Sequence, residues 1–444
     1  MAQETLPTQG VNTIIEAIDP REARLGRAAA VFRWGALANG VVVALILLIA
    51  LLSGLGVIPG LFTAMHQLLL GRTAGADDAA VAGTVLLIQL NITALMVLMV
   101  GVLAREIWGM LGAWLLALVN LVGLFALGFT PALLTVITAV WAGVVVGRDV
   151  RAFRLNPVML KELRGRMRGA RAFVVLTVYL GLMSGLTALL YLVYTPASRA
   201  TGSAAAGEVG RVLFMGIVGI ELMLIIFIAP AFTAGAITGE RERQTYDLLQ
   251  TTLLSSSSFV IGKLESALSY VLLLLLAAIP LQSIAFLFGG VTELEIILSF
   301  VILTVTGVAL GTIGIYFSAA ASRTLAASVR TYTSTLVATF ALPLVLTIVL
   351  DILTGGIRTL SPVVEAVLTY IDDILVSLNP IATALNTQSL LINQQEVGFW
   401  AHTLASDGST IPRVSPWISF TIIYLVVGAI LVVLAIRRMH QVEE

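Results

Sequence analysis

The polar chemistry of this apolar chain is concentrated in residues 238–263. Thr238-Gly239-Glu240-Arg241-Glu242-Arg243-Gln244-Thr245 places four consecutive charges at the end of one apolar run. Asp247-Leu248-Leu249 and Gly262-Lys263 follow before the next run. Glu240 to Leu249 can form a short amphipathic helix with Leu248 and Leu249 on its apolar side. Ser255 to Ser258 offer N-cap oxygens for the helix after it. A short helix across the ends of two apolar helices is a lever, since force on it moves both. The plainer reading is a solvated loop, but a loop does not need an ordered Glu-Arg-Glu-Arg cluster beside a Gly-bounded helix end.

Residues 156–168 carry a second set. Asn156 suits an N-cap and Pro157 the first helical position. Met159, Leu160, Leu163 and Met167 fall on one helical face. Lys161, Arg164, Arg168 and Arg171 fall on another, and Glu162 and Arg166 complete the polar residues. An apolar face beside a basic face describes a helix lying in a membrane interface, the alternative being an ordinary basic flank. Glu221 is a lone carboxylate inside an apolar run. A charge at a bilayer centre costs at least ~2.5 kcal/mol, so Glu221 must meet a partner, water or a pathway. A structural hydrogen bond competes evenly with a pathway role. In Ser361–Asn379, Val364, Val367, Leu368, Ile371, Ile374, Leu375 and Leu378 form a helical stripe that Asn379-Pro380 ends.

Catalytic constellations are missing. There is no GxxxxGK[ST], no HExxH and no GxSxG, and His66, His402 and His440 are too scattered for a metal site. The sequence therefore predicts a non-catalytic chain with no metal and no bound cofactor. Net charge is zero, which gives no basis for nucleic-acid binding, and the lack of cysteine excludes disulfides and thiol chemistry.

The elements that must position these residues are membrane helices. The chain is 59% hydrophobic and 11% charged, against roughly 25% charged in soluble domains. Its first twenty residues are polar and acidic, unlike a signal peptide. Uncharged runs at 34–71, 79–104, 107–147, 172–198, 212–220 and 222–239 (one helix interrupted only by Glu221), 266–292, 296–322, 331–350 and 414–436 predict ten spans. Gly54, Gly56, Pro59 and Gly60 end the first helix. Gly128-Phe129-Thr130-Pro131 folds 107–147 into a hairpin, either two spans or re-entrant. With the N-terminus in the cytoplasm, 20 of the 25 basic residues fall on the inner side, which predicts both termini inside. The expected organisation is a four-span module at 1–147, a basic amphipathic elbow at 148–171 and a six-span core at 172–444. The core carries a coupling region at 234–263 and an outer segment at 353–414. Gly181xxxGly185 and Gly307xxxGly311 are small-residue pairs that ordinarily pack helices.

Residues 229–264, beginning Ala229-Pro230 and passing through Gly239-Glu240-Arg241-Glu242, Thr245, Leu248-Leu249 and Gly262-Lys263, resemble the coupling region of type-2 ABC transporter permeases. That family shows an "AP.LTAG.I.GERE.GT.DLL..TPLS…I..GKL" pattern, and its elbow an "NP…KE.R.RMRG" pattern. The resemblance extends by hydropathy over roughly 160–440. Gln244, Leu253 and Ser256 depart from it, which predicts a more helical turn. The resemblance implies an all-α permease subunit of an exporter in the cell membrane. It also implies a second permease chain and a separate cytoplasmic ATPase that holds ATP and Mg and docks on 240–263. The outer helix is similar to those that cap the pathway in this family. A different class also fits the composition: an ion-coupled secondary transporter or a polytopic membrane enzyme, with no ATPase. Such a transporter would more often show several intramembrane carboxylates, and Glu221 is the one firm case here.

Overall fold

The computed structural model describes residues 20–54, 78–147, 156–167, 170–194, 203–246, 255–355, 361–404, 406, 408 and 410–443. Asp247, Leu248, Leu249 and Arg168 lie outside these residues. A front group of helices comprises α1 (Pro20–Gly54), α2 (Asp78–Leu103), α3 (Ile107–Leu127) and α4 (Ala132–Gly147). The short α5 (Pro157–Met167) follows. Then come α6 (Ala170–Tyr194), α7 (Ser203–Thr233), the short α8 (Thr238–Glu242), α9 (Ser256–Leu287) and α10 (Glu293–Ala320). One π-turn, Val337–Ala341, joins α11 (Thr324–Leu336) to α12 (Leu342–Gly355). α13 (Pro362–Ser377), α14 (Pro380–Asn393), an antiparallel pair β1 (Phe399–Thr403) and β2 (Thr410–Val414), and α15 (Pro416–Glu443) complete the chain.

Nine stretches among the described residues are long and apolar enough to cross a membrane. The chain is thus an all-α polytopic membrane protein with one small hairpin. The tenth expected span, α4, is not among these nine. Its 16 residues extend only ~24 Å at 1.5 Å per residue, against a hydrocarbon core of ~30 Å. The break before α4 falls where the sequence places it, at Gly128, which ends α3 in the left-handed region (φ 65°). Gly56, Pro59 and Gly60, expected to end α1, lie outside the described residues.

In the front group α1 packs on α2 and α4, and α3 packs on α4. Phe32, Leu95, Ala113 and Ala142 are buried between them. Two buried amides, Asn91 and Asn120, exchange hydrogen bonds of 2.7 and 2.9 Å across α2 and α3. α2 also packs on α15, so the front group is continuous with the rest of the helices.

α10 is the centre of the larger group and touches α7, α9, α11, α14 and α15. Glycines permit this. A Cβ on Gly314 would lie 1.9 Å from Thr233 Oγ1, and one on Gly311 would lie 3.0 Å from Leu268. The Gly307–Gly311 pair therefore packs α10 on its neighbours, with Gly307 facing Val271 and Ile225. A Cβ on Gly181 or Gly185 would meet nothing within 4 Å, so that pair packs no helix among the described residues.

Residues 361–414, expected as the outer segment, hold more structure than their sequence suggests. α13 forms as expected, with Ser361 at its N-cap accepting from Val364 N at 3.5 Å. Asn379 then caps a second helix, α14, accepting from Ile381 N (2.9 Å), so Asn379-Pro380 begins a new element as well as ending one. The hairpin beyond it is fastened to α13 by Tyr370, which donates to Pro412 O (2.8 Å), and by an Arg413–Asp373 ion pair. The α13 stripe is turned outward: Val364, Val367, Ile371 and Ile374 are exposed, and Leu375 is buried.

Candidate coupling site

The chain turns sharply at the end of α7. Thr233 Oγ1 donates back to Ala229 O (2.9 Å), and the turn 234–237 leads into α8. Ser318, near the end of α10, accepts from the backbone N–H groups of Ile237 (2.9 Å) and Thr238 (3.1 Å). These are donors that a helix start leaves unpaired. The expected helix over 240–249 does not form as one piece. α8 ends at Glu242, and Gln244 sits in the left-handed region (φ 57°). The sequence predicts a more helical turn because Gln replaces Gly there, yet the chain keeps the turn and accepts the strain on Gln244. Such a conformation costs a non-glycine residue roughly 1–2 kcal/mol.

Three of the four charges of the island turn back into the chain. Glu240 Oε1 meets Lys263 Nζ at 2.6 Å, and the other face of the same ammonium meets Glu162 Oε1 at 2.7 Å. Lys263 is only 4% exposed. The Thr245 hydroxyl completes the cluster by donating to the Glu240 carboxylate. A single buried cation thus joins α8, α9 and the elbow α5, and unites residues that the sequence presents as separate motifs. Arg241 donates to Ala321 O (3.0 Å) and reaches Met439 on α15 (3.3 Å), with its guanidinium 5.4 Å from the Tyr246 ring centre. Glu242 caps α11, accepting from Thr324 N (2.7 Å) and Thr324 Oγ1 (2.8 Å). Arg243 and Gln244 are left exposed on this surface.

The elbow is a second junction. Asn156 caps α5 by accepting from Val158 N (3.0 Å), and Pro157 opens the helix. The Asn156 amide donates to Ser258 O (2.6 Å) on α9 and to Glu106 Oε1 (2.7 Å) between α2 and α3. Gly262 is required beneath it, since a Cβ there would lie 2.6 Å from Asn156 Oδ1. Gly239 meets nothing within 4 Å, so close packing does not account for it. Lys161 and Arg164 are exposed, while Met159, Leu160 and Leu163 are half-buried, which is the amphipathic division expected of the elbow. Ser255 caps α9 as expected, accepting from Ser258 N (3.3 Å). Ser257 donates to Leu103 O (2.8 Å), a carbonyl freed by the end of α2.

Among the described residues outside the spans, Glu106 has a strongly altered protonation. Burial, reinforced by the nearby Glu265 carboxyl, pushes it up to about 7 despite the Asn156 hydrogen bond. No cluster of His, Cys, Asp and Glu among the described residues is arranged to hold a metal.

Glu221 lies away from this site, wholly buried on α7. One carboxyl oxygen accepts from Gln282 Nε2 on α9 at 2.7 Å; the other has no partner among the described residues. It lines none of the described cavities.

The links through Lys263, Glu242 and Asn156 join residues 23 to 102 positions apart, and no local pattern pairs them. The only sequence signal is the burial implied by a Lys inside the first turns of an apolar helix. No protein-family model matches the chain, and no curated protein is significantly similar to it.

Proposed function

We propose that this chain is the permease subunit of an ATP-driven ABC exporter of the type-2 kind, with residues 234–263 as its coupling region. A separate cytoplasmic ATPase carries ATP and Mg, and a second permease chain completes the pathway. The N- and C-termini face the cytoplasm of a cell membrane, on the side that the basic residues favour.

The observation that carries this reading is the buried Lys263 bound to both Glu240 and Glu162. A solvated loop would leave its charges in water. Here α8 is pinned to α9 and α5 by Lys263, to α10 and α15 by Arg241, and to α11 by Glu242. A push on α8 is thereby delivered to several helix ends at once. Because Glu240, Arg241 and Glu242 are committed internally, the exposed Arg243 and Gln244 are the residues that a docking subunit meets.

The test is to purify the tagged chain from its own membranes and reconstitute it. The expected result is a stoichiometric companion that hydrolyses ATP and is lost in Arg243→Glu. A chain that transports in liposomes without any ATP-hydrolysing companion would overturn the proposal.

A further inference from the structure

A cavity of about 310 Å³ lies where the front group, the elbow and the core meet. Glu106, Glu265 and Trp108 form one end of it, and Leu268, Leu272 and Val308 line its walls. Trp108 is fixed in place by donating its indole N–H to Glu265 Oε1 at 2.8 Å. Its ring lies against Gly101, where a Cβ would come within 2.5 Å of it, so only glycine leaves the ring this position. Glu106 is 2% exposed.

The chemistry of this end is one-sided. Two carboxyls close enough to repel one another share it, and no basic side chain among the described residues lines the cavity. The nearest cation along α9, Lys263, is already bound between Glu162 and Glu240. The Asn156 amide serves only one oxygen of Glu106. Buried carboxyls without a counter-charge are costly, and a cation between them relieves that cost. An indole face adds attraction for a cation. The remaining walls are mostly apolar, with the hydroxyls of Ser269 and Thr304 among them, and suit a largely hydrocarbon body; the volume falls at the lower end of small-molecule sites.

We propose that this cavity binds a lipophilic organic cation, with its charge between Glu106 and Glu265 against Trp108 and its apolar body along Leu268, Leu272 and Val308. Nothing in this argument uses the coupling reading, and the site stands whether or not an ATPase docks on α8. A small inorganic cation would leave the apolar walls unfilled, and an anion would be repelled by both carboxyls.

The test uses the full chain in lipid nanodiscs with tetraphenylphosphonium as probe. Tetraphenylborate, of the same shape and opposite charge, controls for partition into lipid. The wild type should bind the cation above the level of protein-free nanodiscs and should not bind the anion. Glu265→Gln should weaken binding about tenfold, the loss of one charge contact of ~1.4 kcal/mol, while Glu265→Asp should largely retain it. A local readout comes from Ser269→Cys, a single thiol in a cysteine-free chain, on a residue lining the cavity. Saturating cation should slow its alkylation. Binding no greater than to empty nanodiscs, equal binding of the anion, wild-type affinity in a folded Glu265→Gln variant, or alkylation that ignores the cation would each overturn the proposal.

Discussion

Lys263 ties three elements together through one ammonium group. Its charge is balanced by two carboxylates from two other elements, and removing it would take from both their direct ion-pair partner in a half-buried site, leaving Glu240 only the more distant charge of Lys161. Losing one partner of a fully buried pair costs ~3–5 kcal/mol; because Glu162 and Glu240 are each about a fifth exposed, Lys263→Met should cost roughly 1–3 kcal/mol. Reversible unfolding in mixed micelles measures this, and an unchanged midpoint would show that the triad is not load-sharing. Glu106 gives a pH dependence with a definite sign. Its folded-state value of about 7 lies above the ordinary 4.5, so the folded chain holds the proton more tightly than the unfolded one. The facing groups are Glu265 on α9 and the Asn156 amide ahead of α5. Stability from this group is full below about pH 4.5 and falls as pH rises towards 7, by on the order of 2 kcal/mol. Glu106→Gln should flatten that part of the profile; a profile of unchanged slope in the variant would refute the assignment.

At the scale of elements, local signals and long-range pairings part company. Asn156-Pro157, Ser255, Ser361-Pro362 and Gly128 mark their helix boundaries in the sequence because capping and left-handed turns depend on neighbouring residues alone. The break of α8 at Gln244 was not legible, since local preference favours continuing the helix there and the tertiary links of Glu240, Arg241 and Glu242 override it. α14 and the β hairpin were missed for a related reason: they lie among polar residues without strong apolar periodicity. Glycines sharpen the point, because sequence spacing alone treats the two small-residue pairs alike. Ala at Gly314 would place its Cβ 1.9 Å from Thr233 Oγ1 and should cost ~1–3 kcal/mol through overpacking. Gly181→Ala meets open space and should be neutral or gain up to ~1 kcal/mol of helix propensity. Comparing the two unfolding midpoints checks this. Equal shifts would contradict the placement of α10 against α7.

For the whole molecule, the sequence conveys a membrane bundle through composition, and the structure adds the joints that make front group, elbow and core one mechanical unit. The proposed orientation rests on the distribution of basic residues. Single cysteines at positions 164 and 406 should be labelled by an impermeant thiol reagent only from the cytoplasmic and the external side respectively; the reverse pattern would invert the topology. The central claim is that force from an ATPase enters through α8 and passes by way of Lys263. The most direct measurement places a photo-crosslinker on Gln244→Cys, which leaves Arg243 in place, in native membranes and compares it with the same protein carrying Lys263→Met. The account predicts a single adduct to an ATP-hydrolysing polypeptide in both, with ATP-driven transport lost only in the Lys263→Met protein. An adduct to no such polypeptide, or undiminished transport by a folded Lys263→Met variant, would contradict it.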